Sequence, residues 1–156
     1  MMRKAMIGIV TSLLGVPASA QPVTIAALGD SLTQGYGLVA QQGFVPQMQR
    51  WLEDQGQEVA LINGGVSGDT TRGGLARIGW SLPPEVAGLI IALGGNDRLR
   101  GIDPDLSRRN LAGILDVAGA SAIPVLLVGI HVPNNYGAEY KQVFESIYPD
   151  LAAQYD

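Results

Sequence analysis

An α/β domain built on a parallel sheet is predicted by three observations. Four continuous apolar runs have strand length: Val23 to Leu28, Val59 to Ile62, Val86 to Leu93 and Ile123 to Ile130. Apolar residues at helical spacing fill the intervals between them. Small polar or glycine-rich segments follow the first three runs. Continuous apolar strands separated by amphipathic helices indicate a parallel sheet covered on both faces, because an antiparallel sheet open to water on one side would alternate.

The elements follow in the order β-α-β-α-β-α-β-α. After the first strand, Gly29-Asp30-Ser31-Leu32-Thr33 places a serine where strand hands over to loop and helix. In open parallel sheets the functional crevice lies beyond the carboxyl ends of the strands, so a serine there faces ligand rather than core. Phe44, Met48, Trp51 and Leu52 then share one helical face. The second strand leads into Asn63-Gly64-Gly65-Val66-Ser67-Gly68-Asp69-Thr70, and Leu75, Ile78 and Leu82 mark the next helix. The third strand leads into Leu93-Gly94-Gly95-Asn96-Asp97, with a helix on Leu106, Leu111, Ile114, Leu115 and Val117 behind it. After the fourth strand, Tyr140, Phe144, Ile147, Tyr148 and Leu151 define a last helix, in which Pro149 predicts a kink or break. That helix runs to the end of the sequence and leaves the fourth strand as a long apolar edge, which folded proteins normally cover. The expectation is therefore a domain that is C-terminally incomplete.

The first twenty residues read as a leader rather than as fold. Arg3 and Lys4 form a positive region, Ala5 to Val16 an apolar stretch, and Ala18-Ser19-Ala20 a small-residue cleavage site. The apolar stretch is shorter than the ~20 residues that span a bilayer, which argues for cleavage before Gln21 over a stable membrane anchor. An exported protein, periplasmic or secreted, with one domain over residues 21–156 follows. Loss of Arg3 and Lys4 leaves 8 basic against 14 acidic residues, a net charge of −6, with Lys141 as the sole lysine. Such a balance lacks the footprint that phosphate-backbone binding needs, so nucleic acid is not an expected partner. The absence of cysteine excludes thiolate catalysis, disulfides and cysteine-ligated metal sites.

Gly29-Asp30-Ser31-Leu32, Ser67-Gly68-Asp69-Thr70 and Gly94-Gly95-Asn96-Asp97 resemble, in order, the first three sequence blocks of the GDSL or SGNH hydrolases. The flanking stretches Thr71 to Arg77, Leu99-Arg100-Gly101 and Pro133-Asn134-Asn135-Tyr136-Gly137 resemble the exported arylesterase and thioesterase–lysophospholipase branch of that family. The resemblance implies a three-layer α/β/α flavodoxin-like fold with strand order 2-1-3-4, here truncated after the fourth strand and its helix. It also implies hydrolysis of carboxylic esters or thioesters through an acyl-serine, with a small acyl ester, thioester or lysophospholipid as substrate. No metal or organic cofactor is implied.

By the same resemblance Ser31 is the nucleophile. Its own N–H, the Gly68 N–H and the Asn96 side-chain amide form the oxyanion hole. The residue types suit the chemistry: an unhindered hydroxyl attacks the acyl carbon, and fixed donors face the oxygen on which charge grows. Thr33 replaces the last glycine of G-x-S-x-G, which argues against an α/β-hydrolase elbow. The family's general base and orienting acid come from a C-terminal Asp-x-x-His, and the sequence contains no such pair. Its one histidine, His131, follows the fourth strand, about 10 Å from the first at ~4.8 Å per strand, and is expected to be a pocket-rim or structural residue rather than the base.

Other readings compete. Ser31 and Asn96 could cap helices, and Gly68 could serve a turn. Asp30, Asp69 and Asp97 are expected to fix loops, and Arg98, Arg100, Arg108 and Arg109 to form a solvated face with salt bridges. A non-catalytic acyl- or glycan-binding module, or the product of a decayed gene that retains the oxyanion loops, is the alternative function. A nucleotide site on Gly64 to Gly74 fails for want of G-x-x-x-x-G-K-[ST] or any lysine near the loop.

Overall fold

The computed structural model describes residues 21–156, so the proposed leader, residues 1–20, lies outside the described residues. The strands are β1 (Val23–Gly29), β2 (Val59–Gly65), β3 (Val86–Ala92) and β4 (Val125–Leu127). The helices are α1 (Ser31–Gln34), α2 (Phe44–Asp54), α3 (Thr71–Ser81), α4 (Gly95–Leu99), α5 (Pro104–Ala120) and α6 (Ala138–Tyr155). All strand pairs are parallel, in the order β2-β1-β3-β4, as the resemblance implied. The first strand in the chain is thus central, with Ile25 beside Leu61 on one flank and Gly88 on the other.

The main core lies on one face of the sheet. There Ala26, Leu28, Leu89 and Ile91 meet Ile78 of α3, Leu111, Ile114 and Leu115 of α5, and Phe144, Ile147, Tyr148 and Leu151 of α6. Burial at about 25 cal/mol per Å² of apolar surface makes this packing the dominant stabilising term. The opposite face holds a smaller cluster, Ala27, Ile90 and Val45, flanked by Ile25, Met48 and Leu61.

Three sequence expectations need correction. On α2 the inward residue is Val45, while Phe44 and Trp51 lie exposed. Phe44 and Trp51 lie at one margin of the apolar stripe and Val45 at the other, and the seat of the helix on the sheet turns the Val45 margin inward. β4 is shorter than the apolar run that predicts it. Pro124 has no N–H to give a ladder, and Ala122 turns with a positive φ of 53° just before it. Finally, α6 continues through Pro149 without a break. Proline forfeits the helical bond to the carbonyl of residue 145, a loss that the burial of Phe144, Ile147, Tyr148 and Leu151 along the same helix outweighs.

Candidate active site

Ser31 is the first residue of α1 and stands at the carboxyl end of the central strand. Asp30 caps the helix: its Oδ1 accepts the Leu32 N–H at 3.0 Å, and the residue is buried. A carboxylate at this position answers the unpaired amides of the first turn and fixes the path of the chain through Ser31.

Gly68 lies in a tight turn closed by the Asp69 N–H, which donates to the Val66 carbonyl at 3.1 Å. Its φ of +78° is the conformation that the third residue of a type II turn requires. This geometry fixes the orientation of the Ser67–Gly68 peptide and hence of the Gly68 N–H. Five further bonds hold the turn. The Val66 N–H donates to the Gly29 carbonyl at 3.0 Å. Gln34 Oε1, from α1, accepts the Ser67 N–H at 3.1 Å and also the Ser67 hydroxyl. Arg100 Nη2 donates to the Gly68 carbonyl at 2.9 Å.

The fifth bond comes from Asn96. Its Nδ2 donates to the Asp69 carbonyl at 2.8 Å and lies 3.4 Å from Asp30 Oδ2. One side chain therefore touches both the turn that carries Gly68 and the residue before Ser31. Asn96 sits on α4, whose start at Gly94 needs a φ of +114°.

The loop that carries Asn96 is fastened from behind. Asp97, 1% exposed, accepts from the Thr71 N–H, the Thr71 hydroxyl and the Ser107 hydroxyl. Three tyrosines hold its carbonyls: Tyr148 donates to Leu93 O at 2.9 Å, Tyr136 to Leu99 O and Tyr140 to Ile102 O at 3.0 Å each. Their rings and that of Phe144 form a continuous ladder, with centroids 5.2, 5.7 and 6.3 Å apart in turn. Burial, reinforced by the Asp97 carboxylate, raises the Tyr148 hydroxyl well above its ordinary range, so it stays a donor at any ordinary pH.

The structure thus brings Ser31, Gly68 and Asn96 to one edge of the sheet, with Asp30, Asp69 and Asp97 engaged in loop bonds. His131 is elsewhere. Its side chain is fully exposed beyond the edge strand β4, with Nδ1 3.4 Å from Glu145 Oε1. Of the four arginines expected on a solvated face, Arg108 does pair with Asp150. Arg100 instead binds the Gly68 carbonyl. Sequence reasoning also missed Gln34 and Arg77, which hold the turn from α1 and α3. The only sequence signal is that Gln34 lies one helical turn from Ser31, so the two share a face. Among the described residues no cluster of three or more His, Asp or Glu could hold a metal ion.

A four-strand parallel α/β sheet in the order β2-β1-β3-β4, with Ser31, the Gly68 turn and Asn96 beyond the carboxyl ends of its strands, is an architecture shared with the solved SGNH-hydrolase esterases. The family model of the GDSL-like Lipase/Acylhydrolase family matches residues 27–156, and the chain belongs to that family. It is 43% identical over 143 residues to Esterase TesA of Pseudomonas aeruginosa, covering 91% of this chain and 70% of that protein. To the Arylesterase of Vibrio mimicus it is 39% identical over 136 residues, covering 86% and 68%. Thioesterase 1/protease 1/lysophospholipase L1 of Escherichia coli K12 is 40% identical over 136 residues, covering 85% of this chain and 63% of that protein. Among solved structures, AlinE4, an SGNH-hydrolase family esterase, superposes with a TM-score of 0.85 at 43% identity, covering 89% of this chain and 75% of that one. The crystal structure of TesA gives 0.80 at 41% identity, covering 85% and 74%.

Proposed function

We propose that this protein supplies the nucleophile and oxyanion hole of a serine hydrolase for small carboxylic esters or thioesters, of the arylesterase, thioesterase or lysophospholipase kind. The carrying observation is the Asn96 amide, which binds the Asp69 carbonyl while lying against Asp30 and so gathers three loops around Ser31. The Ser31 hydroxyl attacks the acyl carbon. The developing oxyanion is met by the N–H groups of Ser31 and Gly68 and by the Asn96 side-chain amide, which exchanges its long contact to Asp30 for the oxyanion, and collapse releases the alcohol or thiol to leave an acyl-serine for water.

The serine proton needs an acceptor within about 3.2 Å, or one water away. In these 156 residues the sole imidazole is His131, turned to solvent beside Glu145. An Asp-x-x-His pair, as the family resemblance implies, would supply the base. Hydrolysis of p-nitrophenyl butyrate tests this. The 156-residue chain is expected to match its Ser31→Ala variant, and a form extended by an Asp-x-x-His block to turn over and to lose turnover on Ser31→Ala. An inactive extended form that still binds acyl ligands would favour the binding-module reading. Ser31-dependent turnover by the short chain would move the base to His131, with His131→Ala as the check.

Export is part of the same proposal. The pattern of Arg3, Lys4, Ala5 to Val16 and Ala18-Ser19-Ala20 supports cleavage before Gln21, and β1 begins at Val23, so cleavage there spares the sheet. Intact mass of the exported protein should give a start at Gln21.

A further inference from the structure

Arg77 lies on α3, a helix that contributes neither nucleophile nor oxyanion donor, yet its guanidinium spans two parts of the site. Nε donates to Asp69 Oδ2 at 2.7 Å, and Nη2 donates to the Gly29 carbonyl at 3.0 Å. Asp69 follows Gly68 directly. Gly29 ends β1 and leads through Asp30 into Ser31. The same Gly29 carbonyl accepts the Val66 N–H, which opens the Gly68 turn.

We propose that Arg77 is a positioning residue that sets the spacing between Ser31 and the Gly68 N–H. The inference rests on the reading of those two groups given above. Three observations carry it. The fork is planar and its two N–H groups are fixed relative to each other, so binding a carboxylate and a carbonyl at once fixes the distance between them, which a lysine cannot do. The pair is shielded, with side-chain exposures of 23% for Arg77 and 13% for Asp69, so it is not a loose surface ion pair. The helix also makes room for it: a Cβ on Gly73 would overlap the Asp69 carboxylate.

The bonding pattern separates positioning from plain stability. Without Arg77, the Gly29 carbonyl keeps the Val66 N–H, and Asp69 Oδ1 keeps the Thr70 N–H at 3.2 Å. Only Asp69 Oδ2 gives up its partner, and at 13% side-chain exposure it is not sealed from water. What is lost is the rigid link between the end of β1 and the turn, and the loss should appear in local order and in turnover more than in melting.

The test compares wild type, Arg77→Gln and Arg77→Lys. Amide exchange is read on the 156-residue chain, and kinetics on the form that turns over p-nitrophenyl butyrate. The Val66 and Asp69 amides are expected to exchange roughly tenfold faster in both variants while Ile91 and Leu111 keep their protection, as local rather than global opening predicts. kcat should fall by about 10-fold or more with KM unchanged, the mark of an interaction that acts in the transition state. In Arg77→Ala, millimolar guanidinium should restore part of kcat, and urea should not. Unchanged exchange at Val66 and Asp69 would overturn the proposal. So would equal loss of protection at Ile91 and Leu111 in both variants, which would make Arg77 a general structural residue. Ser31→Ala is measured alongside. Hydrolysis that survives it refutes the nucleophile and leaves exchange to judge Arg77, whereas Ser31-dependent hydrolysis with unaltered kcat in Arg77→Gln refutes Arg77 alone.

Discussion

Thr71 and Asp97 are bonded twice inside the protein: the Thr71 N–H reaches Asp97 Oδ2 at 2.9 Å and its hydroxyl reaches Oδ1 at 2.6 Å. Both residues are buried, and Asn110 and Ser107 complete the group from α5. One carboxylate therefore caps the first turn of α3 and anchors α4, which carries Asn96.

Asp97→Ala should accordingly be among the most destabilising single changes. It leaves the Thr71 N–H and the Thr71 hydroxyl buried without an acceptor, at about 1–3 kcal/mol for each orphaned group, and leaves the Ser107 hydroxyl only the Asp103 carbonyl at 3.5 Å. Denaturant unfolding should show a loss of at least ~2 kcal/mol, with Asp97→Asn losing less because the amide oxygen still accepts. Equal stability of Asp97→Ala and wild type would show that the network is not coupled to folding.

Asn96→Ala, in a form extended by the Asp-x-x-His block, should lose roughly 2.7–4 kcal/mol of transition-state stabilisation, the cost of removing a side-chain oxyanion donor elsewhere. The measurement is kcat for p-nitrophenyl butyrate.

Gly68→Ala tests the turn. The nearest atom to an added Cβ is Arg100 Nη2 at 3.7 Å, so space is available and the penalty is conformational. At positive φ an L-residue costs about 1–2 kcal/mol. A type I turn avoids that cost by rotating the Ser67–Gly68 peptide, which points the N–H away from the acyl oxygen. Turnover should fall by ~10² or more, as for loss of one oxyanion donor, while the melting temperature shifts by only a few degrees. A variant that keeps its kcat would remove Gly68 from the hole.

Tyr148→Phe removes the donor to the buried Leu93 carbonyl and should cost about 1–2 kcal/mol by thermal melting. The ring stays, so Phe144 keeps its neighbour. A fall in kcat beyond the stability loss would show that this bond also sets the position of Asn96.

Glu145 makes the segment after β4 sensitive to acid. The Lys141 ammonium, then the Val132 N–H at 2.7 Å and His131, hold its carboxyl down to about 2 from an ordinary 4.5. A group depressed on folding stabilises the native arrangement above its unfolded value and stops doing so as pH falls through the folded one. Protection of the Val132 amide should therefore weaken between pH 4.5 and about 2. In Glu145→Gln that dependence should vanish, as exchange across the range would show.

The sequence carried the fold well because the strands are continuous apolar runs and the three polar blocks sit on their carboxyl ends. It carried side-chain orientation less well where packing decides, as at Phe44 and Trp51, which share a stripe with Met48 yet face water. Ser31, Gly68 and Asn96 were legible as residues beyond the ends of β1, β2 and β3, because small polar and glycine-rich segments after apolar runs mark where strands stop. Arg77, Gln34 and Arg100 were not. Their roles depend on carbonyls and carboxylates of other segments, and nothing in local spacing reports that an arginine on α3 will meet the end of β1.

The central place of β1 also has a consequence for biosynthesis. This strand leaves the ribosome before its two hydrogen-bonding neighbours, β2 and β3, so the apolar segment Val23 to Leu28 waits unpaired until β2 is made and lacks its second partner while the next sixty or so residues are made at roughly 5–20 residues per second. Non-local parallel pairing of this kind folds slowly and leaves a β-prone segment open to chaperones in the meantime. Pulse-labelled exchange during refolding should find the β1 amides protected together with those of β3, and not with α1 or α2 alone. Under the export proposed above, that delay keeps the chain threadable until its first strand finds a partner.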